Sequence, residues 1–292
     1  MKISIVVIFD VFREKKINRL LSSLKSEVQD LDCEVLFVQE SIKPFNLPTL
    51  PIKVRHIFIE EKKGISFNRN QGIKNAKGDI IVFIDDDCWV KEGWLKSLIA
   101  PLDNPETLAV TSGTKIPRSN FLGNCISALG FPGGGSLGFE KVWHVSKNGF
   151  TNHLTVGNCA LRRTIFNSAG LFDETMKSGA EDAEFSHRLE KLKITIKYVP
   201  NAFAFHEPRT RMKEFVHWQL RRGRANYQFK RKVGKVNSFI KLRFWSTKNI
   251  VKENILNPGL PVILFLLCLS FSLQQLGFFQ EKLRNKRSRV KL

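Results

Sequence analysis

The sequence predicts an α/β protein built on a mostly parallel mixed sheet flanked by helices, and three observations carry that prediction. Apolar runs of strand length alternate with amphipathic runs of helix length through residues 3–206, the pattern of a sheet with helices on both faces. Ile80 to Ile84 is an unbroken apolar run rich in β-branched residues, which reads as a strand buried on both sides. That run ends in Asp85, Asp86 and Asp87, and in open α/β sheets the ligand crevice lies beyond the carboxyl ends of such strands. Three crowded acids repel one another unless a hard divalent cation sits among them. A solvated acidic turn is the competing reading.

The elements follow in order. Residues 3–9 form the first strand, and Ile17, Leu20, Leu21, Leu24 and Val28 recur at helical spacing over 13–28. Glu34 to Val38 is the second strand, and a connection bearing Pro44, Pro48 and Pro51 leads to a third, Lys53 to Ile59. A loop and a helix running to about Ala76 precede the central strand, with Gly78 closing the helix. Trp89 to Leu102 reads as a helix with Trp94, Leu95, Leu98 and Ile99 inward, followed by a strand at Leu108 to Ser112. Residues 119–150 resist assignment; their run LGFPGGGSLGF suits either a mobile loop or a substrate-covering lid. Thr155 to Leu161 is a strand, Thr164 to Gly170 a short helix, Glu181 to Leu192 a helix, and Ile194 to Val199 a strand. A last extended piece, Ala202 to Phe205, ends at His206.

With 292 residues the chain holds one large α/β domain or two small ones. Met1-Lys2 leads straight into ISIVVIF, too short an apolar run for a signal peptide. Five scattered cysteines without a C-x-x-C pair favour a reducing compartment over a disulfide framework or zinc site. The net charge of +20 is uneven: residues 1–208 carry 27 Lys plus Arg against 24 Asp plus Glu, residues 209–292 carry 20 against 3. A basic tail meets nucleic acid, an anionic membrane surface or a phosphorylated substrate. No helix-turn-helix, zinc or stacking-sheet signature accompanies it, so no nucleic acid is expected. A dehydrogenase is disfavoured because no G-x-G-x-x-G follows the first strand.

Several polar groups ask for a common explanation: the Asp85–Asp87 cluster, Glu181-Asp182 opening a helix, His206 after an apolar strand, and Arg69-Asn70 in a Gly-flanked loop. Each alone has a plain structural role; acids at a helix start, for instance, complement its dipole. Their order and spacing resemble glycosyltransferase family 2, whose catalytic domain has the GT-A fold. GISFNRNQGIKNAKGDIIVFIDDD matches the family's G-x-x-x-x-R-N-x-G, A-x-G-D and D-x-D; GNCALRRTIFNSAGLFDE and GAEDAEFSHRL match its second half. The resemblance covers roughly residues 3 to 225 and rests on the joint order of weak motifs.

That resemblance implies a division of labour. Asp85 and Asp87 are the D-x-D acids, with Asp87 the direct ligand of Mg²⁺ or Mn²⁺ and His206 a further metal contact. Asp182 matches the catalytic base, with Glu181 beside it, and Glu184 stands where a second Asp is usual. Glu40, Asp86, Arg69, Asn70, Arg221 and Arg222 are expected around the nucleotide-sugar, Glu40 near the base, Arg69 binding a phosphate or pinning an acid, and Arg221 and Arg222 near the acceptor or the diphosphate. The expected reaction is inverting, metal-dependent transfer from a nucleotide-diphosphate sugar to a hydroxyl on a glycan or lipid-linked acceptor. The first strand runs on through Ile8, Phe9, Asp10, Val11, Phe12 and Arg13 where the family has a Pro-Thr-Tyr-Asn-like turn, and Gln39-Glu40 replaces its Asp residues. These departures leave the nucleobase open, and a catalytically altered member is the alternative. A nucleotidyltransferase would want a lysine-bearing glycine-rich loop after the first strand, which Phe9 to Arg13 does not offer.

The expected organisation is a catalytic domain over 1–210, a basic helical extension over 211–254 and a membrane-associating apolar segment with a basic tail over 255–292. Leu260 to Phe279 carries no charge and is long enough to cross a bilayer. Gln274 and Gln275 interrupt it, and both flanks are basic, including Lys282, Arg284, Lys286, Arg287, Arg289 and Lys291. One span would put one basic flank outside. An in-plane or re-entrant anchor leaves both on the anionic cytoplasmic leaflet.

Overall fold

A computed structural model of the chain describes residues 1–11, 13–41, 52–234 and 237–290, with backbone alone at 237–240 and 287–290. The Pro44, Pro48 and Pro51 connection lies outside the described residues, as do Phe12 and Lys291. The main sheet begins with β1 (Ile3–Phe9), β2 (Cys33–Glu40), β3 (Val54–Ile59) and β4 (Ile80–Ile84). These four lie in the order β3-β2-β1-β4 and all pair in parallel. The β4 side chains are at most 2% exposed, as an apolar run between two helical layers requires. Helix α1 (Glu14–Val28) closes one face with Ile17, Leu20, Leu21 and Leu24, all fully buried. Helix α2 (Ile65–Asn75) lies against β1 and β2, with Gly72 set directly on Val6.

The next stretch corrects one expectation. Trp89 does not open a helix: β5 (Cys88–Trp89) comes first, then α3 (Trp94–Ile99) and a 3₁₀ turn at Ala100–Asp103. β6 (Ala109–Thr111) and β7 (Thr114–Lys115) follow. The unassigned stretch holds α4 (Phe121–Ser127), α5 (Phe139–Val142) and β8 (Phe150–Thr151). Its glycine run is folded onto β7 rather than left as an open lid: Thr114 N–H donates to Gly133 O at 2.8 Å and Thr114 Oγ1 to Pro132 O at 2.7 Å.

β9 (Asn158–Arg162) starts later than expected and enters the sheet antiparallel, between β4 and β6. After α6 (Ile165–Ala169) and α7 (Glu181–Lys191), β10 (Ile196–Tyr198) and β8 complete eight strands in the order β3-β2-β1-β4-β9-β6-β10-β8. β11 (Ala204–His206) lies between β5 and β7 in a second, three-stranded sheet. That pairing sets His206 opposite Cys88, beside the acids that end β4.

Three helices complete the described chain: α8 (Met212–Val233), α9 (Asn237–Glu253) and α10 (Leu260–Val290). They share an apolar core with α4, in which Phe215, Ile250, Ile263 and Leu266 pack with Cys125 and Ile126. α8 and α10 touch closely. A Cβ on Gly223 would stand 2.1 Å from Gln274 O, and one on Gly277 would stand 2.2 Å from Leu220 O, so glycine is what permits this approach. Of the two glutamines that interrupt the apolar run, Gln274 is buried and binds Gln219, Asn226 and Arg243, while Gln275 is exposed.

Candidate active site

The acids at the end of β4 diverge. Asp85 turns toward α2, where Arg69 Nη2 lies 3.6 Å from Asp85 Oδ1. A Cβ on Gly157 would fall 2.4 Å from Asp85 Oδ2, which gives the glycine before Asn158 its reason. Asp86 faces Arg13 at 3.5 Å. Burial, with Asp87 close by, raises the Asp86 carboxyl to about 7, Arg13 opposing. Asp87 turns the other way, its Oδ1 3.2 Å from His206 Nε2.

The Asp87–His206 contact is informative. His206 Nδ1 lies 2.7 Å from Glu207 O, and a carbonyl only accepts, so Nδ1 carries the proton. In the neutral ring Nε2 then presents its lone pair to a carboxylate oxygen. Two acceptors this close need a positive centre between them, either a second proton or a metal ion. Asp87 O, His206 N and Cys88 Sγ all lie within 4.8 Å of one another. Carboxylate and imidazole suit Mg²⁺ or Mn²⁺. Cys88 is a poor third ligand, because burial and the neighbouring acids push its thiol well up. Burial works against the Asp87 charge, but His206 and Arg209 outweigh it and hold the carboxyl below its ordinary range. The residues present therefore fit a divalent cation through Asp87 and His206. Asp85, expected as a ligand, stands outside this group because Arg69 holds it.

Arg69 joins the two halves of the site. Its guanidinium is 4% exposed and also pairs directly with Glu181 at the start of α7. Burial disfavours that cation, yet Glu181 and Asp85 hold it above its usual range. The next residue, Asp182, is half-buried, and Ala183 N–H donates to its Oδ1 at 2.7 Å. Burial pushes the Asp182 carboxyl up, while Arg69 and Arg222 act against it and Asp85 acts with it. A carboxylate raised in this way is a better proton acceptor near neutral pH. Asp85, Asp87 and Asp182 thus lie in one electrostatic neighbourhood.

Other expected residues serve differently. Glu40 accepts from Gly64 N–H at 3.0 and 3.1 Å and from the Asn68 amide, clamping the entry to α2. Asn70 is a strut: its amide donates to Phe172 O and Glu174 Oε1 and accepts from Phe172 N–H. Glu184 is tied to Arg188 one turn on. Arg221 is solvent-exposed and Arg222 half-buried, since adjacent helical residues point about 100° apart. Arg222 lies over Phe131, 4.0 Å from the ring centre, and acts on Asp182. Arg209 was not expected; it stacks on Trp218 at 4.3 Å and acts on Asp87. Its position three residues past His206 was the only hint in the sequence.

A model of glycosyl transferase family 2 matches residues 4–168, more than half of the chain. The chain belongs to glycosyltransferase family 2. Among curated relatives, polypeptide N-acetylgalactosaminyltransferase 11 of Xenopus tropicalis is 26% identical over 186 residues, covering 56% of this chain and 28% of that protein. The pre-mycofactocin glycosyltransferase of Mycobacterium tuberculosis is 25% identical over 154 residues, 53% of this chain and 32% of that protein. The chain thus spans about a third of the length of these relatives. A Pyrobaculum calidifontis mannosyltransferase, solved with GDP-Man and Mn²⁺, superposes with a TM-score of 0.55 at 16% identity, over 96% of this chain and 83% of that one. GalNAc-T7, solved with UDP, GalNAc and Mn²⁺, gives 0.51 at 14% identity, over 88% and 57%. Such likenesses establish the shared GT-A fold of this family 2 chain.

Proposed function

We propose that this family 2 chain transfers a sugar from a nucleotide-diphosphate sugar to a hydroxyl acceptor, with inversion, using a divalent cation. The observation that carries the reading is the Asp87–His206 acceptor pair at 3.2 Å, with Asp182 in the same cluster of interacting charges. Relatives solved with Mn²⁺ beside UDP or GDP-Man support the donor class. Asp87 and His206 would hold the metal, which supplies charge stabilisation to the leaving diphosphate.

Asp182 takes the proton of the acceptor hydroxyl as its oxygen attacks the anomeric carbon. The bond from that carbon to the diphosphate oxygen breaks, and its electron pair leaves with the nucleoside diphosphate. One direct displacement inverts the anomeric centre. Arg69 and Glu181 hold the network that places Asp182. A thermal-shift panel of nucleotide-sugars with Mn²⁺ or Mg²⁺ tests this reading. One donor should raise Tm only with metal, and Asp87→Asn should abolish that rise; a metal-independent rise would remove the metal from the mechanism.

The site is read as working at the cytoplasmic face of a membrane, on a glycan or lipid-linked acceptor. Residues Leu260–Lys286 form a helix with an 18-residue window of mean hydropathy 2.0, long and apolar enough to cross a bilayer. An in-plane position is favoured by its neighbour: α8 runs alongside in parallel, from the Gln219–Gln274 bond to the Arg231–Asn285 bond. A transmembrane α10 would drag Arg221, Arg222 and Arg224 with it, at roughly 2.5–3.5 kcal/mol for each charge near the bilayer centre. In-plane, Phe265, Leu276, Phe279 and Leu283, each more than half exposed, meet the lipid. Carbonate washing of membranes should release the protein; retention would favour a span.

A further inference from the structure

Helices α8, α9 and α10, with Phe131, Val142 and Trp143, line an open pocket of about 550 Å³, within the range of small-molecule sites. Its lining carries four cations, Arg222, Lys230, Arg243 and Lys282, and no carboxylate among the described lining residues. We propose that this cavity seats the phosphate or diphosphate end of a membrane amphiphile, whose apolar chain leaves along the exposed face of α10. Resting on the sugar-transfer reading, that amphiphile is the acceptor, and the sugar joined to its phosphate offers the hydroxyl.

Four observations carry this assignment. First, the cations are crowded, and none of the four forms an ion pair among the described residues. Arg222 pairs with no acid among the described residues, and burial together with Arg243 and Arg209 pulls its guanidinium well below the usual range. Like charges in a partly dehydrated space are unfavourable until an anion joins them, and guanidinium forks suit phosphate oxygens. Second, the guanidiniums are held in place. Arg222 lies flat over Phe131 at 4.0 Å, and Arg243 donates to Gln274 Oε1 at 2.7 Å while lying over Phe271. Third, apolar side chains form much of the remaining wall, Trp143, Phe229, Leu242 and Phe278 among them, beside Asn226, Ser246, Gln274 and Gln275. Phe279 lines the cavity and is also 53% exposed on the α10 face that carries Phe265 and Leu276. An apolar chain can therefore leave the cavity without crossing water. Fourth, Arg222 borders the cavity and also acts on Asp182. A sugar attached to a phosphate bound here would lie toward the catalytic carboxylate.

The test titrates the full chain by calorimetry with dodecyl phosphate below its micelle concentration. Dodecyl maltoside shares its tail and inorganic phosphate shares its head. Dodecyl phosphate should bind at least about tenfold more tightly than either, the worth of roughly one charge-assisted hydrogen bond. Arg243→Gln should weaken it by a similar factor. Lys282→Gln, at an exposed position that does not threaten folding, should weaken it several-fold. Equal binding of dodecyl maltoside would reduce the site to an apolar patch, and equal binding of inorganic phosphate would reduce it to a free-anion site. Unchanged affinity in both variants would move the phosphate elsewhere. Each of these results overturns the proposal. The thermal shift with nucleotide-sugar and Mn²⁺ should persist in both variants. Its absence from the unmodified protein would overturn the sugar-transfer reading alone, leaving the dodecyl phosphate result to stand or fall separately.

Discussion

At the carboxyl end of β4 the acids have cations supplied by other elements: Asp85 and Glu181 share Arg69, Asp86 has Arg13, and Asp87 has Arg209. Around α8 to α10 the cations instead stand together: burial, Arg243 and Arg209 hold Arg222 below its usual range, and burial alone holds Arg243 there. The first region is neutralised within its own fold and so can hold catalytic groups in place before any ligand arrives. The second is left positive, and its charge is complete only when something anionic comes. Under the proposed reading, the contrast separates the region that would do the chemistry from the one that would take up an anionic ligand.

The sharpest way to break that contrast is at Asp182. Asp182→Asn keeps the size and most of the contacts but removes the proton acceptor, so transfer should fall by about 10²–10⁴-fold. Donor binding, followed by thermal shift, should be retained. Turnover near the unmodified rate would assign the base elsewhere in the network.

Arg69 comes next. Arg69→Met leaves the buried Glu181 without its cation, and breaking such a pair costs about 3–5 kcal/mol. Urea unfolding should show that loss. A cost below about 1 kcal/mol would mean that the acids find other partners, and the first region would then not be neutralised within the fold as described.

These two predictions rest on residues that the sequence already singled out, and the reason is local. Asp85 to Asp87, Arg69, Glu181 and Asp182 each sit at the end of a strand or the start of a helix, where short motifs carry the geometry. β1 and β4 were legible for the same reason, since an unbroken apolar run has one reading. Trp89 was misread because a two-residue strand has no periodicity of its own; only its pairing with Phe205 creates it. Residues 119–150 were opaque because Cys125 and Ile126 pack on Phe215, Ile250 and Ile263, partners more than eighty positions away in the sequence. Arg209 and Arg243 were invisible on the same ground. Asn70 and Glu40 show the converse: a motif position can mark a strut as readily as a ligand contact.

His153 sharpens the boundary between the two regions by pH. It is 9% exposed, stacks on Trp143 with ring centres 3.4 Å apart, and burial pushes its pKa down to about 3. The unfolded chain takes up this proton near pH 6.5, and the folded chain does not until near pH 3. Stability from this group is therefore full above pH 6.5 and is lost as pH falls toward 3, by about 3 kcal/mol at pH 4. In His153→Phe, which keeps a ring against Trp143, the slope of unfolding free energy between pH 6 and 4 should fall by up to roughly 1.4 kcal/mol per pH unit. An unchanged slope would mean that the imidazole titrates in the folded state.

The smallest effect separates two neighbours. Gln274 donates to Gln219 Oε1 at 2.7 Å and accepts from Arg243 at 2.7 Å and Asn226 at 3.2 Å, at 4% exposure. Gln274→Leu adds apolar surface but leaves those partners unanswered in a closed space, a cost of about 1–3 kcal/mol. Gln275→Leu, on the exposed face, should change stability by no more than about 0.5 kcal/mol and should strengthen association with lipid vesicles by enlarging the apolar face. By hydropathy alone the two substitutions are the same, since each replaces one glutamine by leucine within the same charge-free run. If α10 crossed a bilayer on its own, away from α8, both would be mildly favourable and the difference between them would vanish. A clear difference in unfolding free energy therefore speaks for a helix that is part of the folded enzyme, with one face on α8 and the other free for the membrane.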